Sequence, residues 1–249
     1  MIIAYFRNMR RFTLLFIFCT FYLLSTSAQD STNFVDVNGL KQGKWMVRHD
    51  NGQLRYSGQF KDGKPTGEFR YFAADGNHTK TLLFNGDNAF ARFFHTSGEL
   101  MAEGIYLKEK KHDKWKYYDE EGDISIQEMY KDGKRNGPSR VYYKNGEISR
   151  DCNYKEDVMH GQCTDYFQGG KKKFEGSYVD GNLDGKVVHY NPTGLPWQSG
   201  QYKAAVKDGK WLIFNEKAEL EAIEVYELGK LLRTTPPPGQ DKNENTKPD

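Results

Sequence analysis

Residues 132–154, DGKRNGPSRVYYKNGEISRDCNY, decide the fold, because most of the chain is a variant of them. Counting from Gly137 as place zero, a tyrosine stands at place five (Tyr142), Asn145-Gly146 at places eight and nine, and a second tyrosine at place seventeen (Tyr154). The glycine of the pair recurs at Gly52, Gly76, Gly98, Gly122, Gly146, Gly170 and Gly194, with Ala218 in an eighth copy. The place-seventeen aromatic recurs without exception as Phe60, Phe84, Tyr106, Tyr130, Tyr154, Tyr178, Tyr202 and Tyr226. Place five reads Phe72, Phe94, Tyr118, Tyr142, Tyr166, Tyr190 and Phe214, with Arg48 in the first copy. The period is 24 residues with one interval of 22, and the shortfall falls between Phe84 and Ala89, where the reading removes two residues from a loop. A fixed period of this length is the signature of a repeat array.

Within each unit, runs such as Trp45-Met46-Val47, Trp115-Lys116-Tyr117-Tyr118 and Trp211-Leu212-Ile213-Phe214 have strand composition. Asn51-Gly52, Asp75-Gly76 and Asn145-Gly146 then read as two-residue hairpin turns with positive φ at both centres. That turn makes opposed places sum to seventeen, so the place-seventeen ring faces the place-zero glycine and covers it. Trp115, Tyr117, Ile126 and Tyr130 then share one face, and Lys116 and Tyr118 the other. Connections of about six residues, as at 62–66 and 132–136, join one hairpin to the next. The expectation is an all-β chain: an elongated, twisted, single-layer antiparallel sheet of eight hairpins. Sixteen strands at about 4.8 Å spacing would extend roughly 75 Å.

The chain divides by composition into a leader (1–28), a polar lead (29–37), the array (38–232) and a tail (233–249) without packing side chains, which reads as disordered. Arg7, Arg10 and Arg11 precede an apolar run from Phe12 to Leu24 and a small-residue exit at Ala28, the layout of a secretory signal. Cleavage near Ala28 makes the chain exported, periplasmic or extracellular. It also removes three of the 36 Lys and Arg and none of the 34 Asp and Glu, leaving 33 against 34. That balance gives no case for nucleic acid and none for an anionic membrane.

Segments 56–67 (YSGQFKDGKPTG) and 174–185 (FEGSYVDGNLDG) resemble the MORN repeat, the membrane occupation and recognition nexus, and the longer unit looks like the variant in bacterial YwqK-family antitoxins. The resemblance covers 38–232, with Ala89, Glu109, Asp113 and Asp157 where glycine is the pattern. It implies a row of β-hairpins serving as a binding or scaffolding module, with membrane association in some members and toxin neutralisation as the bacterial label. An export signal does not suit a cytoplasmic antitoxin.

No catalytic pattern stands out: there is no Gly-x-Ser-x-Gly, no phosphate loop opening a helix and no His-Glu-x-x-His. His49, His78, His95, His112, His160 and His189 show no metal-ligand spacing and read as scattered surface residues, and neither metal nor cofactor is expected. Cys152 and Cys163 lie opposite each other on adjacent strands if Tyr154 lies near Gly161, and an oxidising compartment favours a disulfide between them. The function expected is non-enzymatic: a protein or cell-envelope partner bound through the exposed place-five rings, Phe72, Phe94, Tyr118, Tyr142, Tyr166, Tyr190 and Phe214. A structural spacer and an antitoxin-like neutraliser are the alternatives.

Overall fold

The computed structural model describes residues 32–239, and every regular element among them is a strand. In order they are β1 (Phe34–Val35), β2 (Lys41–Arg48), β3 (Leu54–Lys61), β4 (Lys64–Phe72), β5 (His78–Asn85), β6 (Asn88–Phe94), β7 (Leu100–Leu107), β8 (Lys110–Tyr118), β9 (Ile124–Lys131) and β10 (Lys134–Tyr142). They continue as β11 (Ile148–Lys155), β12 (Val158–Tyr166), β13 (Lys172–Val179), β14 (Asn182–Leu183), β15 (Gly185–Tyr190), β16 (Pro196–Lys203), β17 (Val206–Phe214), β18 (Leu220–Glu227) and β19 (Lys230–Thr235). All pairings are antiparallel and between sequence neighbours, with β14 and β15 sharing β13 as the two halves of one interrupted strand. Among the described residues no pairing joins the first strand to the last, so the sheet is open. The expected leader, residues 1–28, lies outside the described residues. The last strand draws Arg233, Thr234 and Thr235 into the sheet opposite Val225, Glu224 and Ile223, so the array runs past the boundary expected at 232. Phe34 and Val35 likewise pair within the expected polar lead.

The two kinds of turn are the reverse of what the sequence suggested. The connection from one hairpin to the next is not a six-residue loop but a two-residue turn: Lys61 pairs with Lys64, and Asp62 (φ 52°) and Gly63 (φ 76°) both take left-handed backbone. Lys131 and Lys134 close Asp132-Gly133 in the same way. At Asn145-Gly146 only the glycine has positive φ (81°), Tyr143 N donates to Glu147 O at 2.8 Å, and the strand bulges where Val141 pairs with Arg150 but Tyr142 with Ile148. This is a type I turn closed by a left-handed glycine. The asparagine is there for its side chain: Asn145 Oδ1 accepts from Glu147 N (3.1 Å), as Asp75 Oδ1 does from Asn77 N (2.9 Å).

The expected pairing of places zero and seventeen is present, as in Gly137 with Tyr154. The expected covering is not. No place-seventeen ring lies over a place-zero glycine; a Cβ built on Gly43, Gly67 or Gly185 meets nothing within 4 Å. The place-zero residue instead belongs to a bulge between successive hairpins. Glu103 pairs with Lys116 and Ile105 with His112, so Gly104 stands opposite the three residues 113–115. Gly58 faces 67–69 and Gly200 faces 209–211 in the same way. The bulge needs left-handed backbone at place zero, which Gly67 (65°), Asp113 (55°), Gly137 (113°) and Gly209 (68°) all adopt. It also swings the place-two ring over the place-fifteen glycine of the preceding unit. A Cβ on Gly58, Gly104 or Gly200 would fall 2.3 Å from the ring of Phe69, Trp115 or Trp211, respectively.

Those rings form the core, which is a spine along one face rather than an enclosed interior. Phe69, Trp115 and Trp211 are at most 2% exposed. The place-seventeen rings wall them edge-on, Phe60 and Phe84 each 5.2 Å from Phe69, Tyr106 5.0 Å from Trp115, and Tyr202 5.2 Å from Trp211. Lysine stems roof them: Lys41, Lys111 and Lys207 hold Nζ within 4.5 Å of the Trp45, Trp115 and Trp211 ring centres. We call this the ladder face and the other the open face.

The open face as candidate functional site

The place-five residues project from the open face, each half-buried beside the longer turns. Their neighbours determine how far each is available. Phe72, His78 and Phe94 form a continuous aromatic strip, with ring centres 5.3 Å and 4.4 Å apart in turn. Glu68, Arg70, Thr81 and Arg92 complete a shallow hollow of about 390 Å³ around it. Further along, Tyr118 donates to Glu103 Oε1 at 2.9 Å, and Tyr190 donates to Glu175. Burial first, then the hydrogen bond to the carboxylate, pushes both hydroxyls up to about 12. These two rings are neutral and fixed in direction at ordinary pH. Tyr142 lies beside Arg140, whose Nε donates to Asp151 at 3.0 Å. Tyr166 and Phe214 are half-buried, and the Tyr166 carbonyl accepts the Tyr143 hydroxyl at 2.6 Å.

Between and around the rings the open face carries solvent-exposed apolar side chains, with the Arg92 guanidinium 5.4 Å from the Phe90 ring centre. Leu83 pairs with Phe90 and Phe90 with Ile105 across three strands. Leu83 is 51% exposed and Phe90 37%. The contrast is with the ladder face: there Phe69, Trp115 and Trp211 are closed off, and here about half of Leu83 and over a third of Phe90 are open to solvent.

Besides His78 in the strip, His49 and His95 are not the scattered surface residues the sequence suggested. His49 Nε2 bonds to the Phe72 carbonyl at 2.9 Å and His95 Nε2 to the Tyr118 carbonyl at 3.2 Å. Tyr143 makes the same bond, so place six of one unit ties down place five of the next. The place-seventeen aromatics Phe60, Phe84, Tyr106, Tyr130, Tyr154, Tyr178, Tyr202 and Tyr226 all lie on the ladder face. At Tyr130 a polar chain crosses that face: Lys111 Nζ donates to Tyr117 Oη (2.7 Å), Tyr117 and Tyr130 share a hydrogen bond (3.0 Å), and Tyr130 donates to Glu128 Oε2 (2.6 Å). Burial, then the bonds to Glu128 and Tyr117, drives the Tyr130 hydroxyl far above its ordinary range.

Cys152 and Cys163 are disulfide-bonded, with Cα atoms 4.0 Å apart, and both are buried in the spine where other units seat a ring on a glycine. They pair directly although Tyr154 faces Met159 rather than Gly161, because a bulge of residues 160–162 opposite Asn153 restores the register. Asp165 lies within 4.8 Å of both sulfurs. It is held by Arg150, whose Nε and Nη2 donate to its two oxygens at 2.6 Å and 3.0 Å. With the sulfurs joined to each other, this group offers no thiolate to a metal.

Four segments, 41–62, 114–132, 135–156 and 159–180, match the MORN repeat variant family. Such repeats are non-enzymatic modules that bind proteins or membranes. No curated protein matches the chain. Among solved structures, TarM is similar over 45% of this chain at 14% identity and a TM-score of 0.25. An S. aureus TarM mutant in complex with fondaparinux, α-GlcNAc-glycerol and UDP is similar over 43% at 14% identity and a TM-score of 0.23. The matched region spans only 20% and 19% of those two chains, and likenesses this low carry nothing about fold or activity.

Proposed function

We propose that this chain, built of MORN repeats, is an exported binding or scaffolding module that presents its open face to a protein or cell-envelope partner. The observation that carries the reading is the asymmetry of the faces. Over most of its length a sheet one layer thick has covered one face with its own rings and lysine stems, while the other presents the half-buried aromatic strip of Phe72, His78 and Phe94 and the exposed Leu83 and Phe90. Uncovered apolar surface of this kind marks interaction sites in stable proteins. Arg70, paired with Glu68, and Arg92, 3.8 Å from Glu103, give the strip a rim of both signs that favours a complementary polar partner. The leader supports export, and a toxin is one form the partner can take.

The test is site-specific photo-cross-linking in cells that express the protein. A benzophenone side chain at Phe94 or Tyr142, on the open face, is expected to capture a discrete adduct, and one at Tyr154, on the ladder face, is not. Changing Tyr118, Tyr142 and Tyr166 together to serine should abolish the adduct at Phe94 while the β-sheet circular dichroism persists. A spacer gives no adduct from either face. Adducts from Tyr154 alone would place the contact on the wrong side of the sheet and refute the reading.

A further inference from the structure

On the ladder face the third unit departs from its neighbours in three linked ways. It has no bulge: Phe84 pairs with Ala89, Leu83 with Phe90 and Leu82 with Ala91 in unbroken register. No place-two ring is swung over the preceding strand, and Ala91 occupies that position. Finally, its place two before zero is Asp87, the position from which Lys41, Lys111, Arg135 and Lys207 send cations over rings in the first, fourth, fifth and eighth units. The second unit has Pro65 at the same place and supplies no cation either.

The result is a hollow of about 790 Å³ on the ladder face. Leu82 and Ala89 line it below, and Tyr71, Phe84, Phe93 and Tyr106 contribute rings. What belongs there is shown by the units that fill the equivalent space themselves. Lys111 lays its stem along the strand and holds Nζ 4.4 Å from Trp115 and 5.0 Å from Tyr130; Lys207 stands 4.2 Å from Trp211 and 4.7 Å from Tyr226. In the hollow itself, Lys80 Nζ lies 4.3 Å from the Tyr71 ring, so one ring is already satisfied by an ammonium. Phe84 and Tyr106 stand in the positions that Tyr130 and Tyr226 occupy elsewhere, but among the described residues no cation is stacked on either ring, and the carboxylates Asp87 and Glu109 and the lysines Lys64 and Lys108 all line the hollow.

We propose that this hollow receives a lysine or arginine side chain of a partner polypeptide, its stem over Leu82 and Ala89, its cation against Phe84 and Tyr106, and Asp87 at the mouth as counter-ion. The attraction is that of a cation for the negative face of an aromatic ring, strengthened where water is displaced. Lys64 and Lys108, exposed on the rim, are the groups that would hold an anion instead. The site is on the opposite side of the sheet from the proposed open-face contact and stands or falls separately from it.

The experiment is an amide-shift titration of the isotopically labelled protein with a short lysine peptide, its glutamate counterpart and a neutral oligosaccharide. The lysine peptide is expected to shift Leu82, Ala89 and Tyr106 with a dissociation constant in about the millimolar range, as a single anchoring side chain would give. Asp87→Lys, in an exposed turn, supplies the missing cation from the chain itself and should weaken the lysine peptide at least tenfold. Tyr106→Leu should weaken it comparably, and Lys64→Ala with Lys108→Ala should leave it equal or tighter. Shifts with the glutamate peptide or the oligosaccharide in place of the lysine peptide, no shift with any probe, or full binding by the Asp87→Lys protein would each overturn the proposal.

Discussion

Replacing Gly104 with alanine should unseat Trp115. A Cβ at Gly104 would stand 2.3 Å from Cδ2, 2.4 Å from Cε2 and 2.6 Å from Cγ of the indole, about an ångström or more inside the contact distance of about 3.5–4.0 Å. Gly104 does not have positive φ, so the strand accepts alanine and the cost falls on the ring. The ring has little freedom to yield: it is 1% exposed, its Nε1 donates to the Ile105 carbonyl at 3.1 Å, Tyr106 meets it edge-on and Lys111 lies over its face. Overpacking a close-packed site costs about 1–3 kcal/mol, and losing the indole hydrogen bond about 1 kcal/mol more. The lower entropy of the unfolded chain returns up to about 1 kcal/mol. The net expectation is a loss of about 1–4 kcal/mol by these terms. Because a repeat array opens locally, native-state hydrogen exchange is the right assay, with protection falling in β7 and β8 before distant units respond. A double-mutant cycle isolates the cause: with Trp115→Leu in place, alanine at 104 should cost less than about 0.5 kcal/mol. Additive losses in the cycle would refute the ring-on-glycine account.

Three further expectations follow from the same geometry. Tyr118, raised to about 12, has a folded value above its unfolded value, so its contribution is complete below about pH 10 and is lost as pH rises through the folded value; Glu103→Gln should bring the phenolate transition, followed by absorbance, to lower pH. The disulfide closes a separation of 11 residues, for which chain entropy gives about 3 kcal/mol. Reduction should lower the urea midpoint accordingly, and alkylation of Cys152 or Cys163 before any reductant is added would contradict the bond. Ala89→Gly should cost about 0.5–1 kcal/mol, since glycine weakens a regular strand. Asp113→Gly should gain up to about 1 kcal/mol by relieving left-handed strain. Thermal unfolding of the two proteins in the opposite order would show that the bulge is not what place zero requires.

The hairpin array was legible because it depends on what a strand shows directly: rings at a constant spacing, separated by turn residues. The turn types were not, since Asp62-Gly63 and Asn145-Gly146 offer the same chemistry and differ only in how many residues the strands on either side leave unpaired. The open-face row at place five was legible from its period. His78, which helps form a hollow there, was not, because its place holds leucine or isoleucine in most other units; Arg70 and Arg92 share place three with Lys116 and Arg140, a basic row that ring spacing alone does not pick out. Cys152 and Cys163 were paired correctly on a register that fails at Tyr154, because the bulge adds its extra residues between the cysteines and the turn.

That same bulge accounts for the irregular interval. Removing two residues leaves every side chain on its original face, so a 22-residue unit looks as if a loop had been trimmed. Yet the turn at Gly86 still has its two residues, flanked by the pair Asn85 and Asn88. What has gone is the three-for-one bulge, and Ala89 alone among the place-zero residues has no positive φ. The deletion and the lost glycine are therefore one event. By flattening the register it withdraws a ring from the spine and opens the hollow between Phe84 and Tyr106, so the break in the period is where this array is most specific.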